Sequence, residues 1–214
     1  MIITDFIIIV CLMLSAFFSG MEIAFVSSNK IYLEIEKQQS SINAKLLSFI
    51  TKNPSRFIAT MLVGNNISLV IYGIFMGDRI LQIMFPENFQ GLSMSIKIIL
   101  IQTLISTLII LITAEFLPKV IFQQYSNTFM KVFAFPTAIF YFLFSPITAM
   151  IMSISDLILM KFFSVKGDQI QFTFSKIELG NYIEEQLEST KDLDNVDSEI
   201  QIFQNALDFS EVKA

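Results

Sequence analysis

The chain has 214 residues, of which 54% are hydrophobic, and its formal charge is −5 at pH 7. Its mean hydropathy of +0.65 exceeds that of ordinary soluble domains, so the composition indicates a membrane protein. Histidine is absent and Cys11 is the only cysteine, which excludes disulfides within the chain, thiolate metal sites and histidine-dependent catalysis. Since the sequence contains no recognisable nucleophile–base pair or cofactor motif, an enzyme is not expected.

The first predicted helix lies in an apolar run over residues 6–21, which extends past Glu22 to about Ser27. A membrane span needs roughly 20 predominantly apolar residues, so we place a span at about residues 5–27. The N-terminus has no basic region and no small-residue cleavage site. This favours a helix that is retained rather than a signal peptide that is removed.

A polar stripe runs along this first span. Ser15, Ser19 and Glu22 are spaced at i, i+4 and i+7, so a helix places two hydroxyls and one carboxylate on a single face, with Gly20 beside them. Such a face is expected to meet protein or water rather than lipid. Ordinary helix–helix contact is the alternative for the serines, and a structural ion pair is the alternative for Glu22.

The loop between the first two apolar runs predicts the topology. Residues 28–56 contain five basic residues, whereas the next loop offers only Arg79 and Lys97. By the positive-inside rule, the first loop is cytoplasmic and the N-terminus lies outside. The basic residues of the first loop are Lys30, Lys37, Lys45, Lys52 and Arg56.

The second span, placed at about residues 55–80, contains Gly64, Asn65 and Asn66. These residues follow Arg56 by about nine or ten positions, or about 14 Å of helix. Two amides and a glycine weaken a helix and can present side-chain and backbone oxygens, as in the broken helices of transporters. Adjacent positions differ by about 100° around a helix, so only one asparagine is expected to face a given centre. Hydrogen bonding between helices is the alternative role.

The third span, at about residues 95–122, contains the stretch "LITAEFLPKVIF". Pro118 has no N–H, so the carbonyl of Ala114 is expected to lose its helical partner next to Glu115. A carboxylate beside an unpaired carbonyl predicts a cation site, and an ionisable group at membrane depth indicates function by default. The alternatives are a protonated Glu115 or an ion pair with Lys119 at i+4.

The fourth apolar stretch, residues 132–155, is long enough to span a membrane, but Pro136 and Pro146 both interrupt helix hydrogen bonding. We expect a kinked belt at about residues 129–162, in or near the inner leaflet. A kinked fourth span is the alternative. These elements together form a predicted transmembrane domain over residues 1–163.

Residues 164–214 form a predicted cytosolic acidic segment. They contain 4 Lys and Arg against 11 Asp and Glu, whereas residues 1–163 contain 10 against 8. Two capping-box patterns, at 175–178 and 198–201, predict two short acidic helices. A segment with this charge is not expected to bind nucleic acid.

The polar groups of the three spans offer hydroxyl, amide, carbonyl and carboxylate oxygens, without a soft nitrogen or sulfur ligand. Oxygen ligands suit hard cations, and a compact site with one carboxylate is compatible with Mg²⁺ or Na⁺ more than with Zn²⁺ or copper. Counted from the helix ends, Ser19 and Asn65 fall near the middle of the membrane and Glu115 nearer the cytoplasmic side. Convergence is therefore expected to need helix tilt or side-chain reach.

Three segments, "SAFFSGMEIAF", "NPSRFIATMLVGNN" and "AEFLPKVIF", occur in this order on successive spans. Together they resemble the transmembrane domain of the CNNM/CorC family of magnesium transporters, over about residues 5–160. The acidic helices and "ALDFSEVKA" look like the family's acidic helical bundle and the entry to its paired CBS domains. The resemblance implies an all-α membrane protein with three transmembrane helices, a kinked juxtamembrane belt helix and short cytosolic acidic helices, with the CBS pair beyond residue 214.

The same resemblance implies a homodimer in a bacterial inner membrane that exports Mg²⁺, with Na⁺ as the driving ion. Pro118 would shape the site rather than bind, and Glu22, Asn66 and Ala114 would be accessory. A non-transporting membrane scaffold or regulator of the same fold is the alternative. By similarity, the Mg²⁺ ligands fall on Ser15, Ser19, Asn65 and Glu115, with backbone carbonyls such as those of Gly20 or Gly64 completing the shell.

Overall fold

The structure, a computed structural model, describes residues 2–84 and 96–163, and every element within them is helical. The all-α fold expected from the sequence is confirmed. The two acidic helices predicted after residue 164 lie outside the described residues. In chain order the described elements are α1 Ile2–Ser27, α2 Lys30–Lys37, α3 Ile42–Thr51, α4 Pro54–Met84, α5 Ile96–Ile110, a π-helical turn Leu111–Phe116, α6 Leu117–Gln124, α7 Ser126–Val132, α8 Ala134–Leu143 and α9 Ser145–Phe163.

Four helical stretches in the described part of the chain are long and apolar enough to cross a membrane. Three of them coincide in position with the three spans placed from the sequence, and the fourth falls inside the region predicted as a belt. The chain is therefore a multi-pass membrane protein. The four stretches are Ile2–Ser27, Pro54–Met84, Ile96–Gln124 and Ser145–Phe162.

Contacts between α1 and α4 show that these helices run in opposite directions. Asp5, near the start of α1, pairs with Arg79 near the end of α4, with 2.7 Å between Oδ1 and Nε. Ser15, in the middle of α1, meets Asn65 in the first half of α4. Residues early in one helix thus contact residues late in the other, as in an antiparallel pair.

The pairing of α4 with α5 is also antiparallel. The Tyr72 hydroxyl donates to the carbonyl of Ser106 at 3.3 Å, and Gly77, five residues later in α4, lies against the Gln102 side chain, four residues earlier in α5. Because α1 and α5 are each antiparallel to α4, they run parallel to one another. The continuous helical stretch from α5 through α6 therefore runs beside α1 in the same direction as α1.

Helices α2 and α3 form a hairpin that begins and turns at side-chain caps. Asn29 Oδ1 accepts hydrogen bonds from the N–H groups of Ile31 and Tyr32, and Ser41 Oγ accepts from the N–H of Ala44. These bonds satisfy N–H groups that a helix start otherwise leaves unpaired. The hairpin packs against α7 and α8 through α3.

Helices α7 to α9 occupy the region predicted as a belt, and two polar contacts join α7 to the hairpin, one at Asn29 before α2 and one at Glu36 near the end of α2. The N–H of Asn29 donates to Asn127 Oδ1 at 2.9 Å. Lys131 Nζ lies 2.8 Å from Glu36 Oε1, and the Glu36 side chain is only 4% exposed. The belt is therefore fixed between the hairpin and the membrane helices at its N-terminal end.

Two breaks divide the belt region, at Phe133 and Phe144. Pro136 is the third residue of α8 and Pro146 is the second residue of α9. The first four N–H groups of a helix have no partner within it, so a proline there removes no hydrogen bond. The helix breaks therefore lie not at the prolines themselves but within one helical turn before each of them.

Candidate functional site

Ser15 of α1 and Asn65 of α4 meet inside the helix bundle. The Ser15 hydroxyl donates to Asn65 Oδ1 at 2.6 Å, and the two residues are 0% and 9% exposed. In an octahedral shell with Mg–O distances of about 2.0–2.1 Å, neighbouring oxygens are about 2.9 Å apart. The separation of the Ser15 and Asn65 oxygens therefore differs by only a few tenths of an ångström from the separation of two neighbouring Mg²⁺ ligands.

Ser19 lies one helical turn from Ser15 and is also fully buried. Its hydroxyl has no hydrogen-bond partner among the described residues. A buried polar group left unpaired costs about 1–3 kcal/mol. The Ser19 hydroxyl is therefore available to a ligand that enters this part of the bundle.

Two glycines allow aromatic rings to pack directly on the helices that bear these polar residues. A Cβ at Gly64 would lie 2.6 Å from ring carbons of Phe18, and a Cβ at Gly20 would lie 2.6 Å from the ring of Phe122. Sequence reasoning missed both phenylalanines as neighbours of the site. The available signal was the presence of isolated glycines in apolar runs, which indicates close packing in membrane helices.

Glu115 lies at nearly the same depth as Ser15. Gly20 contacts Phe122, and α1 runs parallel to α6. Ser15 precedes Gly20 by five residues, or about 7.5 Å, and Glu115 precedes Phe122 by seven, or about 10.5 Å. The two levels thus differ by about 3 Å. The same register puts Ser19, one residue before Gly20, about 9 Å from the level of Glu115, so Glu115 is level with Ser15 but not with Ser19.

Glu115 belongs to the π-helical turn Leu111–Phe116, where the N–H of Leu117 donates to the carbonyl of Ile112, five residues earlier. The sequence predicts an unpaired Ala114 carbonyl, and the structure places this carbonyl in a wide turn within a continuous helical stretch. In this i+5 pattern the partner of the Thr113 carbonyl would be the nitrogen of Pro118, which has no hydrogen. Proline therefore affects the hydrogen bonding of Thr113 as well.

Among the described residues, the structure does not contain the ion pair between Glu115 and Lys119 that was one of the two alternatives to a cation site. No ion pair joins Glu115 to Lys119 in the described part of the chain. Ala114 and Pro118, on either side of Glu115 in sequence, are buried, whereas Glu115 is half-buried. Glu22 is likewise half-buried and forms no ion pair with any described residue.

The asparagine pair of α4 divides as the helix geometry predicts. Asn65 faces Ser15, whereas Asn66 is exposed and donates from Nδ2 to the carbonyl of Leu62 at 2.8 Å. The loosened helix expected at these residues is not found, because α4 is continuous. The Gly64 carbonyl accepts a hydrogen bond from the Ser68 hydroxyl at 2.9 Å, so it already has a partner.

The donor set that the structure brings together is mainly neutral. Within residues 2–84 and 96–163, no group of three or more carboxylate or thiol side chains converges. Two serine hydroxyls and one amide oxygen lie on α1 and α4, and Glu115 lies near the level of Ser15 on the neighbouring π-turn, which packs against α1. A site with a single carboxylate is expected to bind a cation weakly enough to release it again, which passage of an ion through a protein requires.

Comparison with known proteins places the chain beside a described family and a curated relative. The family described as the cyclin M (CNNM) transmembrane N-terminal domain matches residues 6–198. The "UPF0053 inner membrane protein YfjD" of Escherichia coli (strain K12) is 27% identical over 176 residues, which are 80% of this chain and 38% of that relative. The chain thus spans well under half the length of the relative. Because the family match covers most of the chain and all three polar spans, the chain belongs to the CNNM transmembrane N-terminal domain family.

Proposed function

We propose that this chain is the membrane domain of a Mg²⁺ transporter, in which the cation passes between α1, α4 and the π-turn. The observation that supports this most directly is the pair of buried oxygens on Ser15 and Asn65, 2.6 Å apart. Their separation is close to that of neighbouring ligands around Mg²⁺. Membership of the CNNM family is consistent with the same activity.

Each polar residue has a distinct role in this proposal. Ser15 Oγ and Asn65 Oδ1 supply two neutral ligands, and the unpaired Ser19 hydroxyl supplies a third as the ion moves along α1. Glu115 provides the negative charge, since a dehydrated divalent cation needs a carboxylate in a medium of low dielectric constant. Because Mg²⁺ keeps several waters in most protein sites, the remaining ligands are water or a backbone carbonyl such as that of Gly20.

The wider proposal is that the protein exports Mg²⁺ as a homodimer in a bacterial inner membrane, with Na⁺ entry as the driving reaction. The oxygen donors accept Na⁺ as well as Mg²⁺ because both are hard cations. The Escherichia coli relative is named as an inner membrane protein. The acidic segment after residue 164 would then be cytoplasmic and would lead to the CBS pair expected beyond residue 214.

The test is Mg²⁺ flux in liposomes that contain the purified chain, followed with a Mg²⁺-sensitive dye with and without a Na⁺ gradient. Loss of even an outer partner of a metal ligand commonly costs about 10- to 100-fold in affinity or activity. We therefore expect Asn65→Ala and Glu115→Gln each to lower the flux by at least about tenfold. Removal of the Na⁺ gradient should slow export.

Asn66→Ala is the matched control, because Asn66 is the same residue type at the adjacent position but is exposed and bonded to its own helix. Its flux should equal that of the unchanged chain. Equal flux in all three variants, each verified as folded, would contradict the assigned cation path.

A membrane scaffold without transport is the second candidate, and one observation favours it. Ser15 and Asn65 already satisfy one another by a hydrogen bond, which is also how polar side chains join membrane helices. Under this alternative the unchanged chain shows no Mg²⁺ flux above empty liposomes, and Asn65→Ala lowers only the stability. The liposome experiment thus separates the two candidates.

A further inference from the structure

One side of α3 forms a stripe of alternating apolar and basic side chains, which we call the α3 stripe. It consists of Ile42, Lys45, Phe49 and Lys52. These residues follow one another at intervals of three or four, so they share one side of the helix. All four are exposed, with exposed fractions of 77% for Ile42 and 51% for Phe49.

The opposite side of α3 packs against the rest of the protein. Ala44, Leu47, Ile50 and Thr51 are buried there, and the helix packs against α8. The α3 stripe lies on the other side of the helix, where the Phe49 ring also packs edge-on against Tyr141 of α8, with ring centroids 5.3 Å apart, and still remains 51% exposed. It presents two large apolar side chains that lie between lysines.

The charge of the α3 stripe is positive and uncompensated. No Asp or Glu occurs in the sequence between Glu36 and Asp78. Lys45 and Lys52 form no ion pair with a described residue. An anionic partner that also accepts apolar side chains would satisfy both properties of the surface.

The α3 stripe also lies next to the membrane. α3 ends at Thr51 and α4, a membrane-spanning helix, begins at Pro54. Two intervening residues extend at most about 7 Å, so Lys52 lies within that distance of the start of a membrane-spanning helix. The ten residues of α3 make a helix about 15 Å long, which keeps Lys45 within that distance of Lys52.

We propose that the α3 stripe binds anionic phospholipid headgroups in the leaflet next to the α2–α3 hairpin. Lys45 and Lys52 contact the phosphates, and Ile42 and Phe49 enter the apolar side of the headgroup region. Basic and apolar side chains on one helix face are the features with which helices bind anionic membrane surfaces. This surface is separate from the proposed cation path and does not depend on transport.

The first experiment measures lipid retention by the purified full chain in neutral detergent, with native mass spectrometry. Phosphatidylglycerol should be retained in preference to phosphatidylcholine, since only the former has a net negative charge. Each juxtamembrane lysine contributes about fivefold, the equilibrium factor for roughly 1 kcal/mol. The double variant Lys45→Gln/Lys52→Gln should therefore bind phosphatidylglycerol about 25-fold more weakly.

The matched control is Lys97→Gln/Lys161→Gln, which removes two exposed lysines from α5 and α9. It changes the net charge by the same amount, but the two lysines lie on different helices and not on one face, so the loss of phosphatidylglycerol should be smaller than in Lys45→Gln/Lys52→Gln. An equal loss in the two double variants would overturn the proposal, and so would an unchanged chain that does not prefer phosphatidylglycerol.

A second measurement uses the absence of tryptophan from the chain. In liposomes, Ile42→Trp supplies a single fluorophore on the α3 stripe. We expect quenching by lipids brominated near the headgroup and little quenching by aqueous iodide. Strong quenching by iodide would place the stripe in water and overturn the proposal. Protection from both quenchers would also overturn it, because a protein segment would then cover the stripe.

Discussion

Gly64 is where the ring of Phe18 packs directly on the backbone of α4. A methyl group at this position would lie 2.6 Å from carbons of that ring, and Phe18 is itself only 1% exposed. Forcing extra volume into a packed core costs about 1–3 kcal/mol. We therefore expect Gly64→Ala to lower the free energy of unfolding by about that amount, measured by denaturant unfolding in detergent.

Gly73 provides the control on the same helix. Nothing lies within 4 Å of the position that its Cβ would occupy, and alanine favours a helix by up to about 1 kcal/mol relative to glycine. Gly73→Ala should therefore leave the stability unchanged or raise it. A loss in Gly73→Ala as large as in Gly64→Ala would contradict the explanation by packing.

The Ser15–Asn65 hydrogen bond should appear as a coupling energy. Such bonds between membrane helices contribute about 0.6 kcal/mol on average and up to about 1.7. In a double-mutant cycle of Ser15→Ala and Asn65→Ala, we expect a coupling of about 1 kcal/mol in the free energy of unfolding. If the two single effects add without coupling, the contact does not stabilise the fold.

Sequence reasoning at the residue scale could predict which polar residues are buried, but not how they are arranged. Helix spacing placed Ser15 and Ser19 on one face, and the 100° between neighbours required that only one of Asn65 and Asn66 face inward. It could not decide which, because that depends on the rotation of α4 against α1. Residue counts from helix ends also do not give the depth of Glu115 relative to the two serines, since that depends on the register that packing sets.

At the scale of elements, the contact between Glu36 in α2 and Lys131 in α7 joins the hairpin to the belt. Lys131→Met would leave the Glu36 carboxylate, 4% exposed, without its cation, and an unpaired buried charge is strongly destabilising. Lys37→Met is the control, because Lys37 pairs with Glu34, which is 46% exposed. Unfolding measurements should find a larger loss in Lys131→Met. Similar losses in the two variants would contradict a special role for the α2–α7 pair.

The same contact gives a dependence on pH. Hydrogen bonding to Glu36 and the charge of its carboxylate raise the pKa of Lys131 above its ordinary value. The stabilisation is fully present below the pKa of an unfolded lysine, about 10.4, and is lost as the pH rises through the higher folded value. Between neutral and strongly alkaline pH, the free energy of unfolding should therefore fall more steeply for the unchanged chain than for Lys131→Met. Parallel curves would exclude this contribution.

The sequence signals for elements differ in strength. Prolines marked the two breaks of the belt because their missing N–H admits them to the first turn of a helix. The packing of the α2–α3 hairpin on the belt gave no such signal. These helices of eight and ten residues bury only two and three apolar side chains, which do not specify the partner surface.

At the scale of the whole molecule, the open question is whether the chain crosses the membrane again after α6. A belt stays on one side of the membrane, whereas a fourth span crosses it. Cys11 is buried and is the only cysteine, so a Cys11→Ser background allows single cysteines to be introduced. Lys45→Cys and Lys97→Cys should react with an impermeant thiol reagent from opposite sides of the membrane. If α7 to α9 form a belt, Lys161→Cys reacts from the side of Lys45.

Labelling of Lys161→Cys from the side of Lys97 would mean that α9 crosses the membrane, as its length and composition allow. The three positions are exposed, so differences in labelling reflect the side of the membrane rather than burial. We expect the belt, since α7 and α8 pack along α1 and α3 before α9 begins.

The architecture as a whole was predictable because a membrane restricts the chain to helices of known minimum length. The apolar runs coincide with helices that are long and apolar enough to cross a membrane. The aromatic packing between α1 and the belt was not predictable, since it joins residues such as Phe18 and Phe140, with ring centroids 4.8 Å apart, that are remote in sequence. Such pairs follow from the tertiary fold and not from periodicity.

The π-turn at Leu111–Phe116 has a consequence for everything that follows it. A turn that contains one residue more than a regular α-turn rotates the later positions by about 100° around the helix axis. Phe122 packs on Gly20 in this rotated setting. A deletion of one residue within the turn would restore the regular helix but direct Phe122 away from α1. The extra residue therefore sets how α6 is rotated against α1, in addition to its local effect on Glu115.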